Sequence, residues 1–384
     1  MQFLKSSYLF FVTIITFIFD SCVIPLVRQS AHTGGVAIVR LDAIGDFILW
    51  LDAAKEFRNL YPNAKITLIA NQVWSDLARL LPYWDEVIPV DRKKIIRDPV
   101  YRFKILRQIR LLGIETAIQT TYSREFRLGD SLIRAMGAML RIGSTGDLSN
   151  ITSWQKKISD KWYSQLITAK EEPLMELQRN AEYMRGLGLR NFTAGTPSLP
   201  SLANLPENLM IEQPYFIIFP GASFPGKLWP VERFGEVLLK LNGSNSGIAV
   251  LCGSRQERAL CARIIDLSGT EALNLAGETT LPELVEVIRR AKFLVGNDTS
   301  AIHIAAAVGT PSICILGGGH YGRFLPYVVE SGGHIMPVPV VHQMDCFGCD
   351  WKCTQTHVRD GAFPCILRIP VHEVFQLSET ITKR

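Results

Sequence analysis

The sequence lacks several things that would have decided its class at once. No uninterrupted apolar run reaches the roughly 20 residues that a membrane-spanning helix needs. The turn after the first strand-like run, Ala43–Asp46, is not the Gly-x-Gly-x-x-Gly that a dinucleotide-dependent dehydrogenase carries there, and no Walker lysine loop marks a P-loop NTPase. Charge of one sign is also scarce. The 41 basic and 36 acidic residues leave a formal +5. That balance suits an acidic ligand or an anionic surface, and without a basic stripe interleaved with aromatics it gives no nucleic-acid signal. No repeat of solenoid length occurs. Eight cysteines in 384 residues do not make a secreted disulfide scaffold, which would be shorter and richer in loops.

What is present is enough apolar residue, 47% of the chain, to fill two cores. The length suits two domains on a scale of roughly 100–200 residues each. Residues 1–30 stand apart as an apolar segment. The run Tyr8–Phe19 ends at Asp20, and CVIPLV follows before Arg28. It is short for a spanning helix, and reading through Asp20 would bury a carboxylate in lipid. No small-x-small cleavage site follows cleanly. The expectation is a helix lying in the membrane interface, with a spanning anchor and a signal peptide as the alternatives.

From Val36 onward, strand and helix alternate. VAIVRL (Val36–Leu41), ITLIA (Ile66–Ala70), EVIPV (Glu86–Val90) and TAIQT (Thr116–Thr120) read as strands. Helical spacing fills the intervals, as in Phe47–Leu60 and Val100–Leu112. Residues 143–161 lose this rhythm and read as a polar, turn-rich loop. A Pro-punctuated linker, TPSLPSLANLPENL, precedes a second alternating series. Its strands are YFIIF (Tyr215–Phe219), GIAVLC (Gly247–Cys252), KFLVG (Lys292–Gly296) and PSICIL (Pro311–Leu316). The expectation is α/β: two Rossmann-like domains with parallel sheets facing a central cleft, at 31–205 and 206–384, the architecture called GT-B.

Three stretches carry candidate chemistry. In Leu294–Pro311 a strand runs into Gly296-Asn297-Asp298-Thr299 and then a helix of small residues. A helix start of this kind is a natural diphosphate site, with Ser300 small enough for close approach and His303 one turn further on. The plainer reading is that Asp298 only caps its helix and His303 is a satisfied helix residue. In Phe219–Phe234 a loop bearing Ser223 and Lys227 precedes a helix, and Lys227 can act as a point charge on phosphate; the plain alternative is a solvated surface lysine. In Arg40–Leu49 Gly45 permits a turn and Asp46 stands at a helix start. There a carboxylate can take a proton from a hydroxyl, or merely cap.

Taken together, AIGD at Ala43–Asp46, PGASFPGKLWP at Pro220–Pro230 and NDTSAIH at Asn297–His303 resemble glycosyltransferase family 9, which includes the ADP-heptose heptosyltransferases of lipopolysaccharide core assembly. The resemblance runs in the same order from Val36 to Leu316. It implies an inverting transferase that moves a sugar, expected to be a heptose from ADP-heptose, to a lipopolysaccharide-type glycolipid or other surface glycan. Asp46 would be the general base. Lys227 would hold the diphosphate, and Asp298, Thr299 and His303 the nucleotide-sugar. Ser223 would add a hydrogen bond, and Glu257 is a weaker candidate for the nucleoside. Ser300 departs from the family, which usually has Gly there. No Asp-x-Asp pair stands at a strand end, so no catalytic metal is expected. Such a protein would work in the cytoplasm on the inner membrane surface.

Other readings compete with this one. The same fold serves nucleotide-sugar epimerases, and a silent sugar-nucleotide binding protein would keep the same motifs. Cys346-x2-Cys349-x3-Cys353 with His357 and Cys365 beyond has spacings that can hold structural zinc or an iron–sulfur cluster, with a disulfide or reduced thiols as the plainer states.

Overall fold

The computed structural model describes residues 2–202, 205–244, 246–330, 335–356, 358 and 361–382. The chain forms two compact units. One comprises Met1–Phe47, Ala53–Glu172 and Arg179–Phe192; the other comprises Ile48–Asp52, Pro173–Gln178 and Thr193–Arg384.

The first unit is built on strands β1 (Gly35–Arg40), β2 (Ile66–Asn71), β3 (Glu86–Val90), β4 (Ile114–Gln119), β5 (Leu140–Ser144) and β6 (Gln165–Ile167). They form one parallel sheet in the order β3-β2-β1-β4-β5-β6. β1 and β2 are buried along their whole length, as continuous β-branched runs covered on both faces must be. Val39, Leu41, Ile69 and Ile88 share a core with Ile105, Ile109 and Leu132 of the flanking helices. Strand order reverses between β1 and β4, and ligands of open α/β sheets gather outside the carboxyl ends of strands at such a point.

The second unit repeats the plan with β7 (Tyr215–Phe219), β8 (Ile248–Leu251), β9 (Ala272–Asn274), β10 (Leu294–Asn297), β11 (Ser312–Ile315) and β12 (Val338–Val340). Their parallel order is β12-β11-β10-β7-β8-β9, so the reversal falls between β7 and β10. Phe216, Ile218, Val295 and Ile313 carry the core, packed against Phe234, Val237 and Leu241 of the helix Val231–Gly243.

Eight of these strands follow the apolar runs of the sequence. The other four, β5, β6, β9 and β12, lie toward the sheet edges and are partly exposed. β6, β9 and β12 are three residues long, and β5 mixes polar residues with apolar ones, which is why they left little pattern. Within 143–161 the structure has a short helix, Ser153–Ser159, where the sequence reads as loop. Its start is fixed by a capping box between Thr152 and Gln155, a two-residue signal that the polar composition hides.

The N-terminal segment is a helix, Gln2–Leu26, and Asp20 has a partner. Asp20 is buried and accepts from Arg102 Nε at 2.6 Å, while Ser131 donates to its other oxygen. Arg102 sits on the helix Pro99–Arg110 and also donates to the carbonyl oxygens of Ile95 and Arg127. The carboxylate that interrupts the apolar run is therefore a docking group within the first unit. Among the described residues no helix is long and apolar enough to cross a membrane.

The expected zinc or iron–sulfur site at Cys346, Cys349, Cys353 and Cys365 must be corrected. Among the described residues no group of three or more His, Cys, Asp or Glu side chains can hold a metal ion, and all eight cysteines are free. Cys365 is buried in the apolar core on the short helix Pro364–Leu367, where burial pushes its thiol pKa up and disfavours the thiolate a metal needs. Cys353 Sγ donates to the Gln355 carbonyl at 3.7 Å. His357 lies outside the described residues. The segment is fixed by its aromatics instead: Phe347 lies against Gly318 and Trp351 against Gly319, so closely that a Cβ on either glycine would clash with a ring.

Candidate active site

In the second unit the loops after β7 and β10 meet where strand order reverses. Asn297 stitches them together. Its buried side chain donates to the Pro220 carbonyl at 2.7 Å and accepts from the Trp229 amide at 3.3 Å. This brings Lys227, in the turn Pro225–Lys227, to Asp298: Nζ and Oδ2 are 2.6 Å apart, with side chains 11% and 8% exposed. The Lys227 ammonium also lies 4.9 Å from the centre of the Trp351 ring, within range of a cation–π attraction.

Asp298 is thus committed to a lysine rather than to capping. The cap position of the helix Ser300–Val308 belongs to Thr299, in extended backbone, with no side-chain hydrogen bond to the helix. The Thr299 hydroxyl and the Trp351 indole N–H are buried without a partner among the described residues. An uncapped first turn leaves its N–H groups free to receive an anion, and the helix dipole favours one. Ser300 opens that helix. Ser223 is exposed on the loop after β7, and Glu257 lies half-buried beside it. The Glu257 carboxylate accepts from the Ser254 amide and hydroxyl, and it lies so near Gly221 that a Cβ there would displace it.

In the first unit Asp46 falls in the first turn of the helix Ile44–Ala54, directly after β1. Arg40, buried at the end of β1, organises this turn. Its guanidinium pairs with Asp42 at 2.8 Å and donates to the Asp46 carbonyl at 3.2 Å and to Asn180 Oδ1 at 3.3 Å. Asn71 and Trp74 both donate to the Asp42 carbonyl at 2.9 Å. The backbone under Asp46 is held from several sides, and its half-buried carboxylate has no ion-pair partner among the described residues. Nearby, Arg92 donates to the Leu41 carbonyl at 2.6 Å and pairs with Glu125 at 2.8 Å. Glu125 also lines a cavity of about 400 Å³ with Phe126, Asn150, Trp154 and Gln155, a mixture of aromatic and polar walls that suits a sugar.

The profile of a family described as "Glycosyltransferase family 9 (heptosyltransferase)" matches residues 132–340, more than half of the chain. The chain belongs to glycosyltransferase family 9. Lipopolysaccharide heptosyltransferase 3 of Escherichia coli K12 is 23% identical over 319 residues, covering 78% of this chain and 89% of that one. A solved family 9 glycosyltransferase from Veillonella parvula superposes with a TM-score of 0.71 at 17% identity, covering 92% and 98% of the two chains. The structure of E. coli ADP-heptose lps heptosyltransferase II gives 0.66 at 19% identity, covering 91% and 98%. These likenesses show the fold: this family 9 glycosyltransferase has the GT-B architecture.

In the family 9 transferase, Lys227, Asp298, Thr299 and Ser300 come together as one cluster, with Glu257 beside Gly221. His303, one turn into the same helix, is partnered by a tyrosine. It is buried, bonded through Nδ1 to the Tyr327 hydroxyl at 2.8 Å and stacked on that ring. Four residues, one in the first unit and three in the second, escaped the sequence reading. Arg40 and Asn297 are polar residues at strand ends, buried to hold the loops. Trp351 and Asp350 adopt left-handed backbone at φ 57° and 52°, and Asp350 accepts from His320 Nε2 at 2.9 Å. The His320 pKa is lowered from its ordinary value, chiefly by burial and against the pull of Asp350. Non-glycine residues in that backbone region carry strain, which tends to sit at functional sites. The sequence signal was the aromatic content of the segment, overshadowed by its cysteines.

Proposed function

We propose that this family 9 glycosyltransferase moves a heptose, with inversion, from ADP-heptose to a glycolipid of the lipopolysaccharide type. What supports the donor half is one observation: a half-buried lysine held by Asp298, a hydroxyl and an indole N–H without partners among the described residues, and an uncapped helix start lie where strand order reverses. That is a set of donors waiting for a diphosphate. Residues 206–384 bind the donor in this reading and 31–205 the acceptor.

Asp46 takes the proton of the acceptor hydroxyl. The oxygen attacks the anomeric carbon from the face opposite the leaving group, the bond from that carbon to the diphosphate oxygen breaks, and ADP departs. Lys227 and the N–H groups from Thr299 and Ser300 meet the charge that grows on the diphosphate, which is electrostatic preorganisation with no metal required. Ser223 and Glu257 contact the nucleotide. His303 contributes by holding Tyr327 in place. The enzyme works in the cytoplasm at the inner membrane surface, where such an acceptor is presented.

The test is thermal unfolding of the full chain with ADP, GDP, UDP and CDP, followed by ADP release from ADP-heptose with and without a lipopolysaccharide acceptor. A ligand at a hundred times its dissociation constant stabilises by about 2.7 kcal/mol. ADP is expected to stabilise selectively, and release is expected to require the acceptor. Selective stabilisation by another diphosphate overturns the donor, and turnover without any acceptor overturns the transfer.

A further inference from the structure

A helix on a protein surface ordinarily turns its apolar stripe inward. The N-terminal helix Gln2–Leu26 turns polar groups inward instead. Thr13, Thr16 and Asp20 are buried together with Ile24, and the Thr16 hydroxyl is satisfied by the Val12 carbonyl at 2.7 Å. The opposite face carries Phe11, Ile15, Ile18 and Leu26, exposed by 63, 64, 55 and 79%, with Cys22 exposed in the same row. Their spacing places them on one stripe along the helix.

The neighbouring helix Pro99–Arg110 shows a second outward face. Val100, Phe103 and Leu111 are exposed there, interleaved with exposed Lys104 and Arg107. The helix before it, Arg92–Arg97, adds exposed Lys93, Lys94 and Arg97. Asp98 stands among these cations, and its carboxylate is committed to capping the amides of Val100 and Tyr101. The two surfaces are adjacent. The Asp20–Arg102 pair joins their helices, and Arg110 Nε donates to the Val27 carbonyl at 2.8 Å.

We infer that these helices form a docking face for an anionic lipid bilayer. The stripe from Phe11 to Leu26 enters the boundary between headgroups and acyl chains, and Lys104, Arg107 and the cations of Arg92–Arg97 lie on anionic headgroups. Apolar insertion and basic attraction are the two terms that hold an interfacial helix. The inward groups are already satisfied, so the helix has nothing to gain by rolling over. Spanning the bilayer would require breaking the bonds of Asp20 to Arg102 and Ser131. A second copy is a poor occupant, because a two-fold contact sets the same cationic patch near itself. This inference deepens the membrane placement proposed above and rests on it, but it concerns lipid, not turnover.

The experiment is flotation of the full chain with vesicles of phosphatidylethanolamine and phosphatidylglycerol, and with vesicles of phosphatidylcholine alone. Two variants accompany the wild type, I15S/I18S and K104E/R107E, with ADP-dependent thermal stabilisation as the check on folding. The wild type is expected to float with the anionic vesicles and not with phosphatidylcholine. Each variant is expected to bind about tenfold or more weakly while keeping its response to ADP, and salt is expected to weaken wild-type binding. Equal flotation of wild type and variants overturns the inference, as does wild type that ignores anionic vesicles. Light scattering that shows a dimer abolished by I15S/I18S overturns it in favour of a second copy. If ADP stabilises no form of the protein, the heptose reading fails while the flotation result still decides this one.

Discussion

The two units each place an aspartate just after a strand at the reversal of strand order, and the two aspartates have opposite surroundings. Asp298 is buried and held at 2.6 Å by Lys227. Asp46 has its backbone fixed by Arg40, and no cation pairs with its carboxylate among the described residues. A buried carboxylate bound to an ammonium is a poor base; its task is to keep a charge in place. A half-buried carboxylate on a rigid turn can accept a proton. Similar residues in similar topological positions therefore acquire different chemistry from what the tertiary structure packs beside them.

The largest test of this contrast is Asp46→Asn. Loss of a general base is expected to lower kcat by about 10²–10⁴-fold while the melting temperature holds, measured by ADP release and thermal unfolding. A comparable loss of stability would mean that Asp46 belongs with Asp298 as a structural group. Lys227→Ala is expected to reverse the pattern. Asp298 is left buried without its cation, at a cost of about 3 kcal/mol, and ADP affinity falls as well. Adding Asp298→Asn to that variant is expected to restore much of the stability but not ADP binding. If it restores both, the lysine serves the fold alone.

Smaller effects sharpen the donor side. Trp351→Phe keeps a ring beneath the Lys227 ammonium and removes the indole N–H. If that N–H meets the donor, ADP affinity is expected to fall by about 1 kcal/mol, roughly fivefold, by calorimetry. An unchanged affinity would confine Trp351 to packing. The smallest effect concerns pH. His320 binds its proton less tightly in the folded protein than at its ordinary value of 6.5. Near and below that value the unfolded chain holds more proton, so stability is full above 6.5 and is lost as pH falls toward the lower folded value. His320→Gln is expected to flatten the melting temperature across pH 7 to 5.5, and an unchanged slope would place the pH dependence elsewhere.

Much of the fold was legible because central parallel strands are buried on both faces and read as apolar runs, as Val36–Leu41 and Tyr215–Phe219 do. The edge strands β9 and β12 were not legible, since each is only three residues long and β12 carries a proline. In the site, Lys227, Asp298 and Asp46 stood out because loop and helix-start patterns are local. The roles of Asn297, Trp351 and Arg40 did not, because each acts on a loop far away in sequence. The cysteine spacing pointed to a metal, yet Cys365 is placed in the core and Phe347 and Trp351 fill the space against Gly318 and Gly319.

By itself the sequence determined two alternating α/β series, the ordered motifs of a family and an apolar N-terminus broken by one acid. These are properties of near neighbours along the chain, where periodicity and turn chemistry operate. Only the tertiary structure decided that Asp20 faces Arg102, that Lys227 neutralises Asp298, that His303 turns to Tyr327 and that the cysteines stay free. Each of these depends on desolvation and charge supplied by residues remote in sequence, and no local pattern encodes which remote group arrives.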